Sequence, residues 1–243
     1  SINMYFGQGC FWHLQREVVQ QETKLLGRQE AAITARAGYA GGRAVGSKRQ
    51  VCYHNRASIA DYAKLGHAEV VSVRVPSDKV REMAKPFFDE AAASLPFGRS
   101  DPQDQGAEYR SMIGLPGGAN SPLFPQIEAA NEKRLQLALG QGGDPDTLET
   151  RVVWVYDSDV FPFHQGELYQ QFHDDANEVY PIKYHALKDA LVETGELAPV
   201  LCPEFAEDGA FVPEEQGDLK GEDIFTWDFF SNLLNGAAPP LPK

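Results

Sequence analysis

The chain has 243 residues, enough for one large domain or a domain with long appendages, and its 42% hydrophobic and 23% charged residues are an ordinary globular mix. A net charge of −13 and a pI near 4.9 argue against wrapping nucleic acid or an anionic membrane surface. No apolar run is long enough to span a bilayer, and three cysteines (Cys10, Cys52, Cys202) are too few for a disulfide scaffold.

The chain opens on a short apolar strand that ends in Tyr5-Phe6-Gly7-Gln8-Gly9-Cys10-Phe11-Trp12. His13 to Leu26 follows with good helix formers and with Leu14, Val18 or Val19, and Leu25 at roughly helical spacing. Cys10 is therefore expected where a strand turns into the start of a helix. The helix N-terminus should favour the thiolate and lower the cysteine pKa. Phe11 and Trp12 are placed to wall an apolar pocket beside it. The alternative is a buried cysteine in an apolar patch.

Further on, Ala31 to Ala37 leads into the glycine loop Gly38-Tyr39-Ala40-Gly41-Gly42. Glu69 to Val75 alternates like a half-buried strand, and Ser77 is a plausible N-cap for a helix running to about Ser94, which Pro86 would kink or divide. Asp101 to Glu108 is a polar loop before the short strand Tyr109 to Leu115. Ser121 to about Leu139 is predicted helical, Gly140 to Asp146 a loop, Arg151 to Tyr156 a strand, and Tyr184 to Thr194 a helix. Strands and helices do not alternate regularly, which favours an α+β layered fold over a doubly wound one. Residues 1–176 read as the domain, with insertions near 53–65 and 116–149. Residues 177–243 read as a long irregular C-terminal extension that wraps the domain or contacts a partner.

Four blocks then carry a resemblance: Gly9-Cys10-Phe11-Trp12, Gly38 to Gly42, Gly66-His67-Ala68-Glu69, and Asp104-Gln105-Gly106-Ala107-Glu108-Tyr109-Arg110-Ser111. In this order they resemble the A-type methionine sulfoxide reductases, the peptide methionine (S)-S-oxide reductases. Glu167 to Gln171 resembles the family's later A-E-x-Y-H-Q segment, with Gln170 in place of its histidine. The resemblance implies a two-layer α+β roll with a ferredoxin-like core. It also implies that Cys10 attacks the sulfur of methionine sulfoxide and is left as a sulfenic acid. Phe11 and Trp12 would enclose the substrate methyl and Glu69 would line the same site. Tyr39, Asp104 and Tyr109 would hold the sulfoxide oxygen or its water.

The family block Y-x-E-V-C is read as supplying the general acid, and here Gln50 of Lys48-Arg49-Gln50-Val51-Cys52 stands at that position. A glutamine cannot transfer a proton at neutral pH. The insertion that follows carries His54, Asp61 and Tyr62, any of which could replace the acid; Tyr39 and Tyr109 acting through water are the alternative. Cys202, in the tail between Pro199 and Pro203, is the candidate resolving thiol, and Cys52 reads as an inert core thiol. The resemblance implies no bound cofactor but an external dithiol of thioredoxin type as reductant. The histidines show no paired spacing, so no metal site is expected. The substrates would be free or protein-bound oxidised methionine. The chain reads as a soluble protein of a reducing compartment, cytoplasmic or organellar (plastid or mitochondrion) after removal of a targeting segment. A competing reading makes the fold an accessory or scaffold subunit of a larger assembly, docked through tail aromatics such as Phe205, Phe211, Phe225, Trp227, Phe229 and Phe230.

Overall fold

The computed structural model describes residues 1–94, 98–99, 101–205 and 211–212. Four strands and two helices form its centre: β1 (Ile2–Gly7), α1 (Phe11–Leu26), β2 (Arg36–Ala40), β3 (Ala68–Val75), α2 (Val80–Ser94) and β4 (Met112–Leu115). β3 pairs antiparallel with both β1 and β2, and β1 pairs antiparallel with β4, giving the order β4-β1-β3-β2. This is the split βαβ arrangement of a ferredoxin-like core, as the α+β resemblance implied. The sheet is extended to seven strands by β5 (Gln136–Leu139) and β6 (Val152–Asp157) at one edge and by β7 (His164–Gln165) at the other. β6 runs parallel to β4 and β5, so the sheet is mixed.

Period-two alternation sorts the two faces of the sheet. Met4, Phe6, Val71, Val73 and Val75 join α1 and α2 residues such as Leu14, Val18, Phe87 and Phe88 in the main core. Tyr5, Val70, Met112, Tyr156 and Phe161 form a smaller cluster on the opposite face. α2 continues through Pro86 without a break, contrary to the expected division, and begins at Val80.

Residues 116–149 are built into the fold. The helix expected over Ser121 to Leu139 is only α3 (Phe124–Asn131). Glu132 and Lys133 then take left-handed φ values of 54° and 59°, which end the helix and let residues 136–139 form β5 instead. The C-terminal part is also attached. α4 (Ile182–Glu193) buries Tyr184 and Leu191, and residues 204–205 and 211–212 form a two-stranded ribbon, β8 and β9. Phe225, Trp227, Phe229 and Phe230 lie outside the described residues. Among the described residues no helix is long and apolar enough to cross a membrane.

Cys52 and Cys202 are joined by a disulfide, leaving Cys10 as the free cysteine. This corrects two expectations: Cys52 is not an inert core thiol, and Cys202 is not a free thiol on a swinging segment. Both are buried, with the Cys52 backbone tied to Ala60 and Tyr62, so the bridge clamps the tail onto the insertion after Cys52.

Candidate active site

Cys10 is the N-cap of α1, at the point where β1 has ended and the chain reverses through Gly9. Gly9 has φ +61°, and a Cβ there would lie 2.8 Å from an Asp104 carboxylate oxygen. Glycine thus supplies both the left-handed turn and the room for Asp104 to approach. The free N–H groups of the first helical turn are capped by carboxylates from elsewhere in the chain. Asp104 Oδ2 accepts the Cys10 N–H at 2.9 Å, and Glu69 Oε2 accepts the Phe11 N–H at 2.9 Å.

These caps reverse the electrostatic expectation for the nucleophile. Burial, followed by the nearby Glu69 and Asp104 charges, pushes the Cys10 thiol well above its ordinary range, although the Trp12 N–H donates to it. The helix-start N–H groups of Cys10 and Phe11 are already taken up by Asp104 and Glu69, so Cys10 rests as a thiol. Glu69 is buried at the start of β3, and desolvation raises its carboxyl to about 8. It remains substantially protonated at neutral pH.

Hydroxyls and aromatic rings complete the cluster. The Tyr62 hydroxyl donates to Glu69 Oε1 at 3.1 Å, and the Tyr109 side chain lies close to that of Tyr62. The Gly9 N–H donates to the Tyr109 carbonyl at 3.0 Å, which ties the 107–110 turn to the Cys10 loop. Phe11 packs with Tyr39 and Tyr53 at ring-centroid separations of 5.9 Å and 6.5 Å, and Tyr53 stacks on Tyr62 at 5.7 Å. Trp12 is held edge and face: its indole N–H donates to Gln170 Oε1 at 2.9 Å and its ring stacks on His173 at 4.2 Å.

Cys10, Phe11, Trp12, Glu69, Asp104 and Tyr109 are therefore brought together. Two expected members differ. Gln50 closes the 46–50 turn, with its Oε1 accepting the Lys48 N–H at 2.8 Å and its carbonyl accepting the Gly46 N–H. It is a turn residue, and the acidic groups at the start of α1 are Asp104 and Glu69. Tyr39 is fully buried, packs against Phe11 and donates its hydroxyl to Glu167 Oε2 at 2.7 Å, while Tyr62 donates to Glu69. Tyr53, Gln170, His173 and Glu167 were not assigned roles from the sequence. Tyr53 and Tyr62 belong to the insertion, where no local pattern shows which side chains turn inward.

The strand-end glycine loop and the Gly66 turn are pinned by one residue. Arg110 is fully buried and donates to the carbonyls of Gly41, Gly66 and Ala107 and to the Tyr156 hydroxyl. His67 adds to this, accepting the Gly42 N–H on Nδ1 at 3.2 Å while its Nε2 meets the Ala44 carbonyl at 2.7 Å. These partners fix the neutral Nε2–H tautomer.

No family model matches the chain. Curated relatives do. The peptide methionine sulfoxide reductases MsrA of Salmonella agona (strain SL483) and Salmonella heidelberg (strain SL476) are each 27% identical over 169 residues, 67% of this chain. The alignment spans 65% of the length of those relatives. Among solved structures, methionine sulfoxide reductase A of Corynebacterium diphtheriae aligns with a TM-score of 0.41 at 16% identity, over 70% of this chain and 72% of its own. Mxr1 of Saccharomyces cerevisiae in reduced form gives 0.37 at 20% identity, over 69% and 81%. The four ordered blocks converge on one cluster, and the chain is similar to curated relatives named as peptide methionine sulfoxide reductases MsrA.

Proposed function

We propose that the chain reduces the S-epimer of methionine sulfoxide, free or in proteins, with Cys10 as nucleophile and Glu69 as general acid. The observation that carries this reading is the pairing of a half-buried thiol with a buried carboxyl raised to about 8, inside an aromatic wall. The substrate methyl would lie against Phe11 and Trp12, whose indole is fixed by Gln170 and His173. Cys10 sulfur attacks the sulfoxide sulfur as Glu69 gives its proton to the oxygen. The oxygen ends on Cys10 as a sulfenic acid, methionine leaves, and the Cys10 thiol proton restores Glu69, so atoms and charge balance. Tyr62 and Tyr109 hydrogen-bond the oxygen as charge develops on it. Asp104 holds the helix start and hence the Cys10 backbone.

An external dithiol of thioredoxin type would then reduce the sulfenic acid, releasing water and forming the donor's disulfide. Because Cys202 is bonded to Cys52, the donor acts on Cys10 directly in this state. The deciding assay measures methionine formed from each sulfur epimer separately, with dimedone trapping of the enzyme by mass. Turnover of the S-epimer with one trapped sulfenic acid on Cys10, abolished in Cys10→Ser, is expected. Equal turnover by Cys10→Ser, or of the R-epimer alone, overturns the reading.

One observation favours a second reading. Burial, with Glu69 and Asp104 taking up the helix-start N–H groups, suppresses the Cys10 thiolate, which suits a reductase fold retained as an accessory subunit. In that case Cys10 would alkylate slowly with or without a sulfoxide ligand, no methionine would form, and the protein would co-purify in a larger assembly.

A further inference from the structure

Cys52 Sγ, Cys202 Sγ and a Glu167 carboxylate oxygen lie within 4.8 Å of one another, and all three residues are buried. The sulfurs are joined as a disulfide. Glu167 accepts the Tyr39 hydroxyl on Oε2 and the Tyr53 N–H on Oε1, each at 2.7 Å, and burial raises its pKa.

We propose that reduction of the Cys52–Cys202 disulfide turns this corner into a binding site for a thiophilic divalent cation of the zinc type. The ligands are Cys52 Sγ, Cys202 Sγ and the Glu167 carboxylate, with water in the fourth position. Two thiolates and a carboxylate are a donor set that zinc accepts, and thiolates select against magnesium and calcium. The carboxylate is already oriented by the Tyr39 and Tyr53 hydrogen bonds. Each of its oxygens accepts one hydrogen bond and keeps a second lone pair, the arrangement in which outer partners position a metal-bound carboxylate. A cavity of about 390 Å³ lined by Glu167, Cys202, Lys188, Asp189, Val192 and Val200 gives water a route to the fourth position.

The chemistry closes with a dithiol as reductant. Its thiolate attacks Cys202 Sγ, the bond to Cys52 breaks, and the donor's second thiol closes the donor disulfide and frees Cys202. Two electrons pass to the cysteines. Cation binding then displaces the two thiol protons to solvent. The segment around Cys202 stays tethered to Cys52 in both states, by a covalent bond when oxidised and by coordination when reduced. No sequence pattern points to this, because the ligands stand at 52, 167 and 202 with no short paired spacing.

The test uses the full chain, reduced anaerobically with a phosphine, desalted and titrated with Co²⁺ as a spectroscopic probe and then Zn²⁺ in chelator competition. Reduced protein should bind one Co²⁺ per chain with a thiolate-to-cobalt charge-transfer band that Zn²⁺ removes, and Cys10→Ser should keep it. The oxidised protein should bind none, a comparison that requires no variant. Cys52→Ser and Cys202→Ser should lose the band, and Glu167→Gln should weaken affinity by at least ~10-fold. Absence of the band in the reduced wild type overturns the proposal, as does a band that survives in Cys52→Ser or disappears in Cys10→Ser.

Discussion

Two carboxyl groups meet the start of α1, and they differ in burial and partners. Asp104 accepts the N–H of Cys10 itself, whereas Glu69 is more deeply buried, contacts Tyr62, and is raised to about 8. General acids of this kind contribute about 10²–10⁴-fold, so Glu69→Gln should slow methionine formation by roughly that factor in a single-turnover assay. Gln50→Glu should change the rate little, because residue 50 serves its own turn. The wild-type rate should also fall as pH rises through about 8 and Glu69 loses its proton. That falling limb should vanish in Glu69→Gln, which has no proton to lose; a rate–pH profile of the two proteins checks it. The blocks around Cys10, Tyr109 and Glu69 were legible as residue types, but the sequence did not tell which carboxyl group is buried at the start of α1. Burial and the α1 cap decide that, and both depend on β3 lying beside β1.

At the scale of elements, the matched blocks share a physical reason for their spacing. Arg110 reaches from the end of the 107–109 turn to the carbonyls of Gly41 and Gly66, so three segments distant in sequence are held by one guanidinium. Gly41 has φ +81°, and a Cβ on it would lie 2.6 Å from the Arg110 side chain. Arg110→Met abandons these buried carbonyls, at a cost of about 1–3 kcal/mol for an unpaired group. Denaturant unfolding should show a loss of at least that size, with a smaller midpoint loss for an exposed control such as Arg81→Met. Elements with strong periodicity, α1 and β3, were legible. The stretch from 132 to 139 was not: Gln136 to Leu139 takes its strand form from pairing with β6, a contact no local pattern records. The insertion after Cys52 was visible as extra sequence, yet the inward turn of Tyr53 and Tyr62 follows from its tie to Glu167 and Glu69.

For the whole molecule, the Cys52–Cys202 bridge closes a loop of sequence separation 150 around most of the domain. Bridges over long loops typically add about 2–4 kcal/mol by restricting the unfolded chain. Reduction in the presence of a chelator should therefore lower the unfolding free energy by roughly that amount, which a denaturant titration of the two redox forms reads. His67 adds an acid sensitivity. Burial lowers its pKa from 6.5 to about 3, so it stays neutral when folded while the unfolded chain protonates near 6.5. Its contribution to stability is complete above pH 6.5 and is lost as pH falls toward 3. The thermal midpoint should decline over that window, and less steeply in His67→Asn. The α+β architecture was legible from irregular strand–helix order and the ordered blocks, whereas the bridge was not, because its partners stand 150 residues apart and no local pattern pairs them.

The most direct test of the account is the pre-steady-state rate of methionine formation from the S-sulfoxide by Glu69→Gln and Gln50→Glu, measured side by side with wild type at pH 7. We predict a fall of about 10²–10⁴-fold for Glu69→Gln and a near wild-type rate for Gln50→Glu. A Glu69→Gln rate equal to wild type, or a Gln50→Glu rate higher by orders of magnitude, would show that the acid partner of Cys10 is not Glu69.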